Sequence, residues 1–152
     1  MRNEVAISLY IARIGCTLDS IVQIVSSVLC IKFDDIHIDS RVKDQESLTK
    51  KMLLKGVHDI FSIRDIYALR ILLNSVEEVY LVSEILLGLF DRAYIANDFV
   101  AHPKSTVNGQ VFRCIRIIAY INDVPFELQI TTKDFHTMNE SSHVIYKKER
   151  YG

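Results

Sequence analysis

A chain of 152 residues with 49% hydrophobic content is long enough to bury a core and too apolar to be disordered. Its 18 basic and 19 acidic side chains leave a net charge of −1, so bulk charge gives no argument for a nucleic-acid or membrane partner, and any polyanion site must come from local clustering. The three cysteines, Cys16, Cys30 and Cys114, are widely spaced and odd in number, which argues for a reducing compartment and against a zinc motif.

The apolar start, Met1 to Ile14, is interrupted by Arg2, Glu4 and Arg13, which breaks any signal-peptide core. No uninterrupted apolar run is long enough to cross a bilayer, and the expectation is a cytoplasmic protein. Two prolines and five glycines leave little room for a linker. The chain therefore reads as one domain over 1–152, with a helical part over 1–30 and sheet and helices over 31–152. In the helical part Ile7, Tyr10, Ile11, Ile14 and Leu18 recur at helical spacing, as do Leu18, Ile21, Val22, Val25, Val28 and Leu29. Both stripes predict covering helices. A membrane-surface helix is disfavoured because the polar face carries no basic cluster.

An extended run is expected over Ile31 to Val42, feeding a helix that begins near Lys43. Arg41 and Lys43 share a strand face, and Lys43, Ser47 and Lys51 follow at intervals of four, on one helix face. A strand that feeds a helix N-terminus, with cations and a hydroxyl converging, suits a polyphosphate; the same spacing also fits a solvated basic face. Gly56 closes that helix, and His58-Asp59 begins a loop. A lone His-Asp pair without further ligands on other helices reads as loop polarity rather than a metal centre. Asp65 to Leu73 predicts a strand with an acid at its start, where a carboxylate is either a candidate Mg²⁺ ligand or a turn cap. Arg70 has opposite parity to Asp65, so a regular strand would point it away from that carboxylate.

Ser75-Val76-Glu77-Glu78 is a capping box, and the helix after it carries Val79, Val82, Ile85, Leu86 and Leu89 as a core stripe. Asn97 to Lys104 reads as a further strand or loop. Val111 to Ile121 and Pro125 to Thr132 then form a hairpin around Asn122-Asp123. In its second strand Phe126, Leu128 and Ile130 alternate with Glu127, Gln129 and Thr131. A tight turn would place Gln110, Phe112, Cys114, Arg116 and Ile118 on the face of Glu127 and Gln129, making that face the candidate site or else a solvated sheet face. Lys133 to Lys148 predicts a final helix with His136 and Glu140 one turn apart. The order α-β-α-β-α-β-β-β-α gives an α+β fold, a mixed sheet flanked by helices.

These residues carry a resemblance. From Ser40 onward the chain resembles the synthetase domain of the RelA/SpoT family. The matching stretches are Arg41-Val42-Lys43 with Ser47 and Lys51, Asp65 to Arg70, Asp98 to Lys104, Asn108-Gly109, Glu127 to Ile130, and His136 with Glu140, followed by His143 and Tyr146-Lys147. The resemblance implies a nucleotidyltransferase-like fold and transfer of pyrophosphate from ATP to the ribose 3′-hydroxyl of GDP or GTP, yielding the alarmones (p)ppGpp of the stringent response. With no hydrolase part before it and no regulatory tail after it, the expectation is a stand-alone small synthetase, with homo-oligomerisation left open.

By the same resemblance Arg41, Lys43, Ser47 and Lys51 would bind ATP. Asp65 and Glu127 would hold Mg²⁺, and Glu127 with Gln129 would serve the attacking hydroxyl. Lys104, Asn108, Gln110, Phe112 and His136 would face the acceptor. The departures fall on the acceptor side. The family usually reads Asn-Gly-Tyr, and that tyrosine stacks on guanine; here Gln110 follows Asn108-Gly109. The family's Ser and His downstream become Phe112 and Cys114, and Thr131 replaces a common arginine. Asn97 stands where many members have a basic residue, and two extra residues separate Lys104 from Asn108. Two further readings follow: the same chemistry on another acceptor, such as an adenosine nucleotide or a tRNA 3′ end, or a nucleotide-binding module without turnover.

Overall fold

The computed structural model describes residues 19–42, 50, 67–105, 111–121 and 124–140. Helix α1 covers 19–32 and buries Ile21, Val25 and Leu29, one face at intervals of four. The extended run expected from Ile31 starts later, because the helix continues through residue 32. Ile31 lies off the buried stripe and is 85% exposed. Phe33 N donates to Leu29 O at 3.0 Å and closes the last turn. Asp35 then takes a left-handed φ of 59°, and Lys133 Nζ donates to its Oδ2 at 2.7 Å from the far end of the fold.

The strands are β1 (His37–Val42), β2 (Tyr67–Leu73), β3 (Arg92–Asp98), β4 (Lys104–Ser105), β5 (Val111–Phe112), β6 (Ile115–Ile121) and β7 (Val124–Thr132). Helix α2 spans Val76–Leu89, and α3 covers 133–140. One sheet has the order β1-β2-β7-β6-β3, and β4 and β5 form a separate ladder. Strand β7 is the centre. It pairs in parallel with β2 and antiparallel with β6, so the architecture is the expected mixed sheet with helices. The second helix expected after Lys43, the loop at His58-Asp59 and the turn at Asn122-Asp123 lie outside the described residues. So do the first stripe, Ile7 to Leu18, and the end of the last helix, with His143 and Tyr146-Lys147.

The core lies on one face of the sheet. Tyr67, Leu69, Ile71 and Leu73 of β2, Phe126, Leu128 and Ile130 of β7, and Ile115, Ile117 and Ala119 of β6 point to it. Each set is every second residue, as the pleat requires. Val79, Val82 and Leu86 of α2 close over them with the stripe of α1. Phe90 meets Phe126 edge to face at 5.1 Å. Helix α2 starts where the sequence says it should: Ser75 Oγ accepts from Glu78 N at 3.2 Å and donates to Glu78 Oε1 at 3.2 Å. The second contact returns to the cap hydroxyl rather than to the cap N–H of a full capping box.

Two expectations about strands are corrected. Strand β3 begins at Arg92, earlier than Asn97. It is an edge strand with Tyr94 and Ile95 exposed, so its burial shows no alternation to read. The run Val111 to Ile121 is two strands, broken at Arg113-Cys114. The break has a polar cause: Asn139 Oδ1 accepts from Arg113 N at 2.8 Å, and Asn139 Nδ2 donates to Arg113 O at 2.8 Å. One buried side-chain amide from α3 thus satisfies both backbone groups of Arg113, and Thr131 Oγ1 adds a bond to the same carbonyl at 2.8 Å. Asn139→Ala removes two of these bonds inside a buried site. It is expected to lower stability by about 2 kcal/mol, read as a fall in Tm of about 4–8 °C. A Tm within a degree of wild type in a thermal melt would show that the amide is not what fixes Arg113.

Candidate active site

The face of β7 opposite the core carries Glu127, Gln129 and Thr131, and pairing assembles a polar floor around them. Parallel β2 sets Ala68 beside Glu127 and Arg70 beside Gln129. Antiparallel β1 sets Arg41 beside Ala68 and Asp39 beside Arg70. On the other side β6 sets Ile118 beside Glu127 and Arg116 beside Gln129. Two adjoining clefts open over this floor. One, of about 160 Å³, is lined by Arg41, Arg70, Phe112, Gln129, His136 and Glu140 among others. The second, of about 220 Å³, runs toward β1 between Asp39, Ser40, Arg41, Ala68, Arg70 and Gln129. Ala68, the smallest side chain on the floor, leaves that space open beside Glu127.

Glu127 is a buried carboxylate, 3% exposed. Arg116 Nε donates to its Oε1 at 2.8 Å, and Gln129 Nε2 donates to the same oxygen at 3.0 Å. Among the described residues no hydrogen bond reaches Oε2. Donation by Gln129 Nε2 turns the amide so that its carbonyl oxygen is left to accept from a ligand. At the other end of the cleft Glu140 Oε1 lies 3.6 Å from both Arg70 Nη1 and His136 Nε2. These contacts are longer than hydrogen bonds, and Glu140 is half exposed, so Arg70 and His136 can take a closer anionic partner. Phe112 lines the cleft and rests edge-on against Phe99 at 5.9 Å.

The structure brings Arg41, Gln129, Phe112 and His136 to one cleft, and Glu127 lies buried behind it, bonded to Gln129. Lys104 is exposed on β4, opposite Phe112 in the small ladder, and lines neither cleft. Asp65, Lys43, Ser47, Lys51, Asn108 and Gln110 lie outside the described residues. Reasoning from the pattern missed Arg70 as a cleft residue, because it judged Arg70 by its parity relative to Asp65. The better signal was a lone guanidinium in the strand Tyr67–Leu73, where every other residue is buried. Asp98 of the matching stretch Asp98 to Lys104 holds a turn: its Oδ1 accepts from Val100 N and Ala101 N, and its carboxylate accepts from Tyr80 Oη. Burial and the hydrogen bond to Asp98 raise the Tyr80 phenol above its ordinary range.

Among the described residues no three His, Cys, Asp or Glu side chains are grouped to hold a metal ion, and no helix is long and apolar enough to cross a membrane. Among the described residues no donor reaches one of the Glu127 carboxylate oxygens, which suits a single hard-cation contact.

Known proteins resemble this chain in sequence and in fold. A family model of the region found in RelA/SpoT proteins matches residues 40–151. A probable chloroplastic GTP diphosphokinase of Oryza sativa subsp. japonica is 29% identical over 116 residues, covering 73% of this chain and 16% of the rice protein. This chain thus spans about a sixth of that relative's length. Small alarmone synthetase 2 from Bacillus subtilis is 27% identical, with a TM-score of 0.69 over 95% of this chain and 80% of that one. Small alarmone synthetase 1 from the same organism has a TM-score of 0.74 at 19% identity, over 95% and 81% of the two chains, and this likeness is one of fold. A further structure of synthetase 1, bound to its product pppGpp, has a TM-score of 0.70 at 21% identity, over 92% and 80%.

Cys114 lines the cleft as a buried thiol. Burial first, then the negative charge of Glu127, push its thiol up to about 12, against the lesser pull of Arg116 and Arg70. A raised folded pKa means that this thiol's contribution to stability is complete below the unfolded value of 9.0 and is lost as pH rises from there through about 12. At pH 8 a thiol-specific alkylating reagent is expected to label exposed Cys30 and leave Cys114 unmodified until the protein is denatured. Peptide mapping by mass spectrometry reads both sites, and rapid native labelling of Cys114 would contradict its burial.

Proposed function

Because this chain belongs to the RelA/SpoT family, we propose that it is a pyrophosphokinase that transfers the β,γ-pyrophosphoryl group of ATP to the ribose 3′-hydroxyl of GDP or GTP. The observation that carries this reading is Gln129, which lines a cleft with Arg41 and Arg70 while its amide donates to the buried Glu127 carboxylate behind it. Two guanidinium groups beside a buried carboxylate suit a polyphosphate and a hydroxyl brought together. Lys43, Ser47 and Lys51 extend the donor side. Asp65 and Glu127 would hold Mg²⁺, and the ion would neutralise the phosphate charge. The acceptor's 3′-oxygen attacks the β-phosphorus, and a new O–P bond forms as the bond between the β-phosphorus and the α-bridging oxygen breaks. AMP leaves. The carbonyl oxygen of Gln129 orients the hydroxyl, and Glu127 receives its proton. Such transfer has little covalent work for side chains, so positioning and charge neutralisation supply most of the rate.

One observation favours a second acceptor. Where the family pattern has Ser, His and Arg, this cleft is lined by Phe112, Cys114 and Thr131. Cys114 is a neutral thiol, and Thr131 Oγ1 is committed to Arg113 O. This wall offers an acceptor's phosphates no positive charge, and an adenosine nucleotide or a tRNA 3′ end becomes a competing acceptor under the same chemistry.

Incubation with γ-labelled ATP, Mg²⁺ and a panel of GDP, GTP, adenosine nucleotides and tRNA separates the readings. Label is expected on the acceptor with unlabelled AMP as co-product. Asp65→Asn and Glu127→Gln are each expected to reduce transfer by at least about a hundredfold without loss of fold. Transfer to no acceptor would leave only nucleotide binding.

The acceptor base has its own test. Stacking on an aromatic ring contributes roughly 1–3 kcal/mol, about ten- to a hundredfold in binding. Gln110 cannot supply a ring, and Phe112 is the described aromatic that lines the cleft. Phe112→Ala is expected to weaken acceptor binding about tenfold, and Gln110→Tyr to improve GDP or GTP use. A large loss of Tm at unchanged acceptor affinity would make Phe112 a packing partner of Phe99 alone.

A further inference from the structure

The cation that holds the buried acid belongs to neither β7 nor the donor side of the cleft. Arg116 stands on β6, one strand away from Glu127, and its guanidinium bonds to a side chain on each neighbouring strand. Nε donates to Glu127 Oε1 at 2.8 Å, and Nη1 donates to Asn97 Oδ1 at 2.6 Å. The three side chains thus tie β7, β6 and β3 together across one face. The register explains how Asn97 comes to be there. Strand β3 is irregular between Ile95 and Asn97, and this shift sets Asn97 opposite Arg116. Glu127 is 3% exposed while Arg116 is 32% exposed, so the carboxylate depends on the guanidinium more than the reverse. With Arg116 and Gln129 both on Oε1, the plane of the carboxylate is fixed and Oε2 is left without a donor among the described residues.

We infer that Arg116, braced by Asn97, is the positioning residue of this site: it fixes the Glu127 carboxylate so that one oxygen is held by protein donors and the other is presented to substrate. This rests on the reading of Glu127 as the acid of the transfer reaction. Arg116 itself does not touch substrate.

The test uses the full chain and two readouts, turnover and the position of the Glu127 side chain in a crystal structure. Arg116→Met keeps the length and removes the charge. It is expected to turn Glu127 away from its present rotamer and to lower kcat about a hundredfold, with KM for ATP within about twofold. Arg116→Lys keeps the charge with one donor fewer on the bridge and is expected to fall between. Asn97→Lys on the Arg116→Met background is the decisive variant. Position 97 lies two strands from Glu127, about 10 Å across the sheet and about 7 Å along it, roughly 12 Å in all. A lysine and a glutamate reaching toward each other span that distance, so the lysine is expected to return Glu127 to its rotamer and restore about tenfold in kcat. If Arg116→Met does not fold, Asn97→Ala and Arg116→Lys carry the same comparison. Glu127 keeping its rotamer in the variants, or a fall in Tm with kcat unchanged, overturns the inference. Absence of transfer by the wild-type chain would overturn the proposed reaction instead, and the Glu127 rotamer would still decide the role of Arg116.

Discussion

The parallel pairing of β2 with β7 is the constraint on which the rest depends. Parallel strands cannot be joined by a tight turn, so a long crossover must lie between them. Here that crossover contains α2, β3 and β6, which means that the segment linking the two strands also builds the core helix and one wall of the site. The pairing sets Ala68 against Glu127 and Arg70 against Gln129. A slip of one residue would send Arg70 into the apolar layer and Leu69 into the cleft. The buried row Tyr67, Leu69, Ile71 and Leu73 forbids that slip, since each of these side chains is almost fully removed from water. Apolar packing on one face thereby fixes the register of charged groups on the other.

The local signals in the sequence were enough for β7, α2 and its cap, and the α+β class, because each rests on a short period or a single turn. The alternation Phe126, Leu128, Ile130 against Glu127, Gln129, Thr131 could be read without a partner strand, and the apolar set does face the core, although Glu127 and Thr131 on the other face are buried as well. Long-range polar contacts could not be read this way. The break at Arg113 is made by Asn139, 26 residues on, and nothing in the Val111 to Ile121 pattern announces it. Arg116 fell on the expected face, but its role comes from Asn97 and Glu127 on two other strands. Arg70 was visible as a charged interruption of an apolar strand, and measuring its parity against one acid hid it. The family resemblance supplied Glu127, Gln129, Arg41 and His136 as site residues. It could not show that Lys104 would stand apart from the cleft.

The two faces of the sheet are stabilised by different means. On the core face, helices α1 and α2 exclude water from aliphatic and aromatic side chains, and the gain scales with area. On the site face a set of polar side chains is held by mutual hydrogen bonds. Thr131 and Asn139 hold Arg113, Gln129 and Arg116 hold Glu127, and Asn97 holds Arg116. Such a network is favourable only when it is complete, because a buried donor or acceptor without a partner costs more than a hydrogen bond contributes.

That completeness also sorts the groups available to a ligand from those that are not. Asn97, Thr131 and Asn139 are bound into the scaffold. Among the described residues Arg70 and His136 meet Glu140 at 3.6 Å, Gln129 lines the cleft, and no donor reaches Glu127 Oε2. The groups left over are two donors suited to an anion and two acceptors suited to a hydroxyl or a hard cation. They stand in fixed positions before any ligand arrives, so binding does not have to reorganise the floor of the cleft. Fixed dipoles and charges of this kind lower a barrier because their orientation was set during folding rather than during the reaction. The same network that keeps a buried carboxylate tolerable in the fold is therefore the source of its directionality in the site.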